Sequence, residues 1–495
     1  MNTSKAATGI EGLDDILAGG LSRSHVFLLE GEPGTGKTTV ALQFLQAGAA
    51  AGEISLYITL SETESELRSG AASHGWELDE HINIFELTPP ESLLDADHHQ
   101  SLLYSSDLEL GEATRQIFEV VERVKPTRVV IDSLSEIRLL AQSSLRYRRQ
   151  ILAIKHYFTR YNATVLLLLD DLTTEALDKT VHSVAHGVIR LEALTPTYGA
   201  ERRRLKIVKY RGQKYRGGFH DFNIAENGIQ VFPRLVAAEH RSNYARTQLS
   251  SGIKELDDLL GGGIEGGSST LILGPAGTGK SLISLVFAAQ AVARGERVGL
   301  FIFDEEMGLL FERMLKLGID LRALQETGNL VVEQIDAAEL SPGEFAHRVR
   351  RAVDRKQIKT VVIDSINGYQ AAMPEESALV LHMHELLLYL NRQGASTFMT
   401  VAQHGLVGDM RSPVDITYLA DSVILLRYFE ALGQVRRAIS IIKKRTGTHE
   451  STIREYRISS SGLKIGEPLA AFQGVLRGVP SYMGDKKPLL EDDDL

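Results

Sequence analysis

The chain has 495 residues, of which 43% are hydrophobic and 24% are charged, and its formal net charge is -10. This length exceeds the size at which one hydrophobic core keeps growing, so we expect at least two domains, and the acidic balance disfavours long-range attraction to nucleic acid. The sequence contains no cysteine, which excludes disulfides and thiol chemistry, and no apolar run approaches the roughly 20 residues of a membrane span, so we expect a cytoplasmic protein.

The first elements along the chain are an apolar strand, a glycine-rich loop and a helical stretch. The run Val26–Leu29 precedes a loop that fits the pattern G-x-x-x-x-G-K-[ST]. Its glycines allow backbone N–H groups to turn inward and hold phosphate oxygens, and the positive end of the next helix attracts the same anion. We therefore predict an ATP site formed by Gly31, Gly34, Thr35, Gly36, Lys37, Thr38 and Thr39.

Farther along the first half, β-rich runs end in polar side chains. The run Ile54–Leu60 leads into Ser61 and Glu62, and a second apolar run ends at Asp132. Apolar runs alternating with helical segments predict a doubly wound, mainly parallel α/β sheet. We expect Asp132 to hold the water shell of Mg²⁺ and Thr38 to place its hydroxyl on the metal. The alternative is that Asp132 caps the next helix.

A polar stretch follows the first half of the chain. After Phe232-Pro233, residues 239–246 are mostly polar. We expect a first domain of residues 1–245, a second of residues 246–465, and a tail of residues 466–495 that ends in a charged, mobile sequence.

The second half repeats the first. Thr8-Gly-Ile-Glu-Gly-Leu-Asp-Asp returns as Ser251-Gly-Ile-Lys-Glu-Leu-Asp-Asp, and Val-Val-Ile-Asp-Ser occurs at 129–133 and at 361–365. Matching blocks in one order indicate a duplication. A second ATP site is therefore predicted at Gly274, Gly277, Thr278, Gly279, Lys280, Ser281 and Leu282, with Ser281 and Asp364 at Mg²⁺.

These blocks resemble the RecA/RadA/KaiC group. The duplication, together with Lys209-Tyr-Arg211-Gly212, is similar to the double-domain KaiC branch over about residues 5 to 465. The resemblance implies two tandem RecA-like P-loop NTPase domains that use ATP and Mg²⁺. It also implies a homohexameric double ring, phosphorylation of the protein by itself in the second ring, and a KaiB-like or other signalling protein as partner.

The resemblance assigns the catalytic residues. Asp304-Glu305-Glu306 lies where the family carries paired glutamates that polarise the attacking hydroxyl, and Ser61 replaces the first of the pair in the first repeat. Slow or impaired hydrolysis is therefore expected in the first repeat. The alternative for these carboxylates is a solvated acidic strand end. The predicted catalytic set is Glu62, Glu305, Glu306, Lys37 and Lys280.

Two basic strand ends match family residues that reach across a subunit interface to the γ-phosphate of the neighbour. They are Lys209 with Arg211 and Lys443 with Arg445. A solvated basic hairpin and a nucleic-acid patch are the alternatives for these positions.

The family also carries adjacent phosphate acceptors before a strand of the second domain. Aligning the strand that begins near Ser422 places Thr417 and Tyr418 at those positions. The alternative is that Thr417 and Tyr418 are ordinary residues before a strand.

Taken together, these features predict an ATPase with Ser/Thr autokinase activity that acts in signalling or timing. The alternatives are a nucleotide-gated scaffold with little turnover and a RecA-like nucleic-acid motor or recombinase.

Overall fold

The structure, a computed structural model, describes residues 4–87, 102–141, 143–170, 178–196, 198–371, 373, 376–403, 416–431, 433–460, 462–477 and 481–483. It divides into two compact units, Met1–Arg234 and Leu235–Leu495. The polar stretch 239–246 belongs to the second unit, because Leu235 and Ala237 just before it are buried in a core of that unit. The charged end of the expected tail, residues 484–495, lies outside the described residues.

The first unit alternates strands and helices. In chain order its elements are β1 (Lys5–Ala6), α1 (Glu11–Ile16), β2 (Leu21–Ser22), β3 (Val26–Gly31), α2 (Lys37–Ala50), β4 (Ser55–Thr59), α3 (Glu64–Ser73), β5 (Ile82–Glu86), α4 (Leu102–Val124), β6 (Arg128–Asp132), α5 (Leu134–Ala141), α6 (Ser144–Tyr161), β7 (Thr164–Asp170), α7 (Asp178–Val184), β8 (Gly187–Leu194), β9 (Arg202–Tyr210), β10 (His220–Ala225) and β11 (Gly228–Phe232).

Within the described residues, the large sheet of this unit has the order β11-β10-β9-β8-β3-β7-β6-β4-β5. The strands from β8 to β5 pair in parallel, and β9, β10 and β11 extend the sheet antiparallel. Successive residues of the central strand β3 face opposite cores, with Val26 and Leu28 in one and Phe27 and Leu29 in the other. This burial on both faces explains the continuous apolar run in the sequence.

The second unit repeats this succession. Its elements are a 3-10 turn (Ala237–Glu239), β12 (Gln248–Leu249), α8 (Lys254–Leu259), β13 (Ile264–Glu265), β14 (Ser269–Gly274), α9 (Lys280–Ala293), β15 (Val298–Ile302), α10 (Met307–Lys316), α11 (Leu321–Glu326), β16 (Leu330–Gln334), α12 (Pro342–Lys356), β17 (Thr360–Asp364), α13 (Ile366–Ala371), α14 (Glu376–Arg392), β18 (Ser396–Ala402), β19 (Ser422–Ala431), β20 (Gln434–Lys444), β21 (Arg454–Ser459), β22 (Gly462–Pro468), β23 (Phe472–Gln473), a 3-10 turn (Val475–Arg477) and β24 (Ser481–Tyr482).

The large sheet of the second unit has the same topology where the structure describes it, in the order β16-β15-β17-β18-β14-β19-β20-β21-β22. Leu271 and Leu273 of β14 face one core and Ile272 faces the other. The predicted fold class, two tandem RecA-like α/β domains with mainly parallel sheets flanked by helices, is confirmed. The described helices include none that is both long and apolar enough to cross a bilayer.

The central strands β3 and β14 run directly into the two glycine-rich loops. Ligands of open α/β sheets bind at the carboxyl ends of the parallel strands, near the point where the strand order reverses. The fold therefore brings both predicted phosphate loops to the position where such sheets hold a ligand.

Candidate functional site

The first glycine-rich loop has the backbone that an anion site requires. Helix α2 begins at Lys37, and its N-cap Gly36 has φ 95°, a left-handed conformation that glycine adopts without strain. Among the described residues, no side chain caps this helix end, so the amides of its first turn are available to an anion. Helix α9 begins at Lys280 in the same way, after Gly279 with φ 97°.

The side chain of Lys37 points back over the first loop. Its Nζ donates to the carbonyl oxygens of Gly31 at 2.8 Å and Glu32 at 2.9 Å. It also forms an ion pair with Asp170 Oδ1 at 2.9 Å, and only 8% of the Lys37 side chain is exposed. Asp170 ends β7, which pairs with β3 so that Gly31 lies opposite Asp170. The ammonium is therefore positioned at the mouth of the loop.

A hydroxyl and a carboxylate lie side by side at the start of α2. Thr38 Oγ1 donates to Asp132 Oδ2 at 3.4 Å, and the buried Tyr57 hydroxyl donates to the same oxygen at 2.5 Å. Burial raises the pKa of Asp132, the Tyr57 hydrogen bond opposes this, and the Asp170 charge adds to it. A neighbouring hydroxyl and carboxylate beside an anion site are the oxygen ligands that suit Mg²⁺.

The second loop differs in its surroundings. Lys280 Nζ donates to the carbonyl oxygen of Pro275 at 2.8 Å, and no described carboxylate lies within ion-pair distance of this ammonium. Burial lowers the pKa of Lys280, and the charge of Asp364 acts in the opposite direction. Asp364 accepts a hydrogen bond from Thr400. In the first turn of α9, Ser281 holds the position that Thr38 holds in α2.

Backbone contacts define which strand-end residues of the two repeats are equivalent. The amides of Leu60 and Phe303 donate to the carbonyl oxygens of Asp132 and Asp364, both at 2.7 Å, so Leu60 and Phe303 are equivalent. Ser61 and Glu62 therefore correspond to Asp304 and Glu305.

The next position in each repeat is a helix N-cap. Thr63 caps α3, and Glu306 caps α10 through both carboxylate oxygens, which accept from the amides of Gly308 and Leu309 at 2.8 Å. These bonds hold the pKa of Glu306 below its usual value. Glu306, predicted as one of a catalytic pair, is thus engaged in capping this helix.

The two equivalent glutamates have different environments. Partial burial raises the pKa of Glu62, and the negative charge of Asp132 raises it further. Glu305 is instead held by both carboxylate oxygens, which accept from Arg313 Nε at 2.9 Å and from a terminal guanidinium nitrogen at 2.5 Å. Gly70 occupies the position of Arg313 in the first repeat.

The two basic strand ends make equivalent contacts. Their backbone positions match, because the amide of Arg211 donates to His186 O at 2.8 Å and that of Arg445 to Asp421 O at 2.9 Å. Lys209 and Arg211 donate to the carbonyl oxygens of His182 and Ser183. In each repeat, these cations contact a short segment that precedes a strand, β8 in the first repeat and β19 in the second.

Thr417 and Tyr418 lie in that segment of the second repeat. Lys443 Nζ donates to the carbonyl oxygen of Thr417 at 3.0 Å, and Arg445 donates to that of Tyr418 at 2.6 Å. The Tyr418 side chain is 52% exposed. Both predicted acceptors are therefore neighbours of the two cations.

Several residues at these sites were not predicted from the sequence. Tyr57 and Asp170 have no counterpart in the second repeat, where Leu300 and Ala402 occupy the matching strand positions. Arg313 is also specific to one repeat. Tyr57, Asp170 and Arg313 lie outside the repeated blocks. A comparison of the two halves position by position would have identified them as residues that differ between the repeats.

Comparison with known proteins gives consistent matches over both repeats. The family profile described as "ATPase: KaiC" matches residues 6–236 and 249–470. The chain is 29% identical to the circadian clock oscillator protein KaiC of Thermostichus vulcanus, covering 96% of this chain and 92% of that protein. It is 26% identical to the protein of the same name from Acaryochloris marina, in an alignment that covers 100% of this chain and 97% of that protein. It is 27% identical to the circadian clock protein KaiC3 of Synechocystis, in an alignment that covers 97% of this chain and 95% of that protein.

Proposed function

The chain belongs to the KaiC family of ATPases, and from this we propose that it binds and hydrolyses ATP at both glycine-rich loops and carries Ser/Thr autokinase activity in its second domain. The protein acts in signalling or timing as an ATP-assembled hexamer that a KaiB-like or other signalling protein recognises. The observation that carries ATP binding is the pair of uncapped helix ends that begin at Lys37 and Lys280.

Each loop lysine donates to the phosphate oxygens of the nucleotide, as the amides of the following helix turn do. Thr38 with Asp132, and Ser281 with Asp364, would hold Mg²⁺, which would offset the phosphate charge when bound. The nucleophile must lose a proton as it attacks phosphorus, and Glu62 or Glu305 accepts it. A base with a raised pKa, such as Glu62, binds that proton more strongly.

The cations of the second repeat support the autokinase proposal. Lys443 and Arg445 contact the Thr417–Tyr418 segment, so a phosphoryl group on Thr417 would lie near positive charge, which stabilises it. The same cations reach the γ-phosphate of a neighbouring subunit in the proposed hexamer.

We expect Thr417 to be the main phosphate acceptor. Incubation of the full chain with Mg-ATP, followed by intact-mass analysis and phosphosite mapping, tests this. Thr417→Ala should lose most of the added phosphate, whereas Tyr418→Phe should keep it, because the phenolic oxygen lies farther from the backbone. Unmodified wild-type protein after incubation would refute the autokinase proposal.

A scaffold with little turnover is the second candidate for the second repeat. The observation that favours it is the two-point ion pair between Glu305 and Arg313. A carboxylate held in this way must leave the guanidinium before it can accept a proton from the nucleophile.

Arg313→Ala is therefore expected to increase ATP turnover in the second repeat severalfold. Turnover is measured by phosphate release in a Lys37→Ala background, which silences the first repeat. Arg355→Ala, a change of an exposed arginine near the end of α12, is the matched control and should have no effect. Lower turnover in Arg313→Ala would show that the ion pair positions Glu305 for catalysis instead of restraining it.

A further inference from the structure

The first repeat places a second carboxylate at its phosphate loop. Asp170 Oδ1 forms the 2.9 Å ion pair with Lys37, and its other oxygen accepts from Ser135 Oγ at 3.2 Å and Ser133 Oγ at 3.4 Å. The Asp170 amide also donates to Ser135 Oγ at 3.2 Å. Asp170 is therefore held in place by its own strand end and by the segment that follows β6, independently of Lys37.

The second repeat lacks this carboxylate at the same point of the sheet. Gly31 pairs with Asp170 across β3 and β7, and Gly274 pairs with Ala402 across β14 and β18. Asn367 replaces Ser135 and binds the backbone of Ala402 through both its donor and its acceptor. The two repeats thus fix the strand end in similar ways, but among the described residues a carboxylate contacts the loop lysine in the first repeat alone.

This charge affects the binding of a polyphosphate. The Lys37 ammonium has three hydrogens, and its described acceptors are two carbonyl oxygens and Asp170. A phosphate oxygen must take the place of at least one of them. The Asp170 carboxylate, fixed by the two serines, then lies close to the phosphate. Two neighbouring negative charges repel each other strongly in a partly buried site.

We propose that Asp170 makes ATP binding at the first loop depend on a divalent cation, whereas the second loop, with Ala402, binds ATP with much less dependence on the cation. A divalent cation offsets the combined negative charge of Asp132, Asp170 and the phosphates. Without it, the carboxylate competes with the phosphate for Lys37. This inference rests on the proposed binding of ATP at both loops.

The test measures the Kd of a fluorescent ATP analogue for the full chain, with Mg²⁺ and with EDTA. The first loop is observed in a Lys280→Ala background and the second in a Lys37→Ala background. We expect removal of Mg²⁺ to weaken binding at the first loop at least about tenfold more than at the second. Circular dichroism establishes that each variant is folded.

Exchange of the carboxylate between the repeats provides the matched variants. Asp170→Asn and Asp170→Ala should each tighten binding in EDTA about tenfold at the first loop, and Ala402→Asp should create a Mg²⁺ dependence at the second. The asparagine keeps the size of the side chain and one acceptor oxygen for the serine hydroxyls, so it removes the charge with little change of shape.

The outcomes separate this inference from the proposed function. Absence of binding at both loops in Mg²⁺ would refute ATP binding itself. Two results would overturn the role of Asp170 alone, provided that binding in Mg²⁺ is normal. One is a ratio of the Kd in EDTA to the Kd in Mg²⁺ that is the same in Asp170→Asn as in the wild type. The other is weaker binding of Asp170→Asn than of the wild type in EDTA.

Discussion

The double variant Lys37→Ala/Lys280→Ala is expected to lose ATP binding at both loops. Each lysine is mostly buried, and its described acceptors are groups of its own loop or Asp170, so replacement by alanine removes the ammonium that lies at the loop. Removing one partner of a buried, hydrogen-bonded charge pair costs about 2–5 kcal/mol, which is at least about thirtyfold in Kd. Isothermal titration calorimetry with Mg-ATP measures this loss.

The single variants separate the two loops. We expect Lys37→Ala and Lys280→Ala each to abolish one class of site and leave the other. Lys254→Ala is the matched control, because Lys254 is 82% exposed and its pair with Asp258 lies on the surface, where ion pairs contribute little. Wild-type affinity in the double variant would contradict the proposal that these lysines bind phosphate.

Light scattering on the same variants tests the proposed assembly. If ATP holds the hexamer together, the double variant should remain a smaller species in Mg-ATP, while Lys254→Ala should assemble as the wild type does.

Glu62→Gln and Glu305→Gln are expected to cause the second large effect. Each change removes the proton acceptor of one repeat and keeps its shape, so turnover in that repeat should fall about 10²–10⁴-fold. Phosphate release is measured for Glu62→Gln in a Lys280→Ala background and for Glu305→Gln in a Lys37→Ala background. ATP affinity should change little, since neither residue is part of the phosphate loop.

Glu306→Gln is the matched control for Glu305→Gln. Glu306 caps α10, so its replacement should reduce stability by about 1 kcal/mol and leave turnover nearly unchanged. Loss of turnover in Glu306→Gln with normal turnover in Glu305→Gln would restore the pairing of Glu305 with Glu306 that was predicted from the sequence.

The structural equivalence also changes the expected difference between the repeats. From the sequence, impaired hydrolysis is expected in the first repeat, because Ser61 replaces one glutamate. In the structure each repeat has one glutamate at the equivalent position, Glu62 and Glu305, and Arg313 binds only the second. We therefore propose that the restraint on catalysis lies in the second repeat.

The duplication, the two glycine-rich loops, the α/β fold class and the family were all predictable from the amino-acid sequence alone. These features depend on short runs of consecutive residues, such as the loop that ends at Lys37, whose backbone conformation and charge are set locally. The repetition of such runs in one order was enough to predict two similar domains.

The side chains that surround each loop became evident from the folded arrangement of the strands. Asp170 contacts Lys37 and Tyr57 contacts Asp132 because β7 lies beside β3 and β4 lies beside β6. The order and register of strands follow from the burial of whole sheet faces, and residues far apart in the chain meet only once that order exists. Periodicity along one strand carries no information about its neighbours, so these contacts could not be predicted from the sequence.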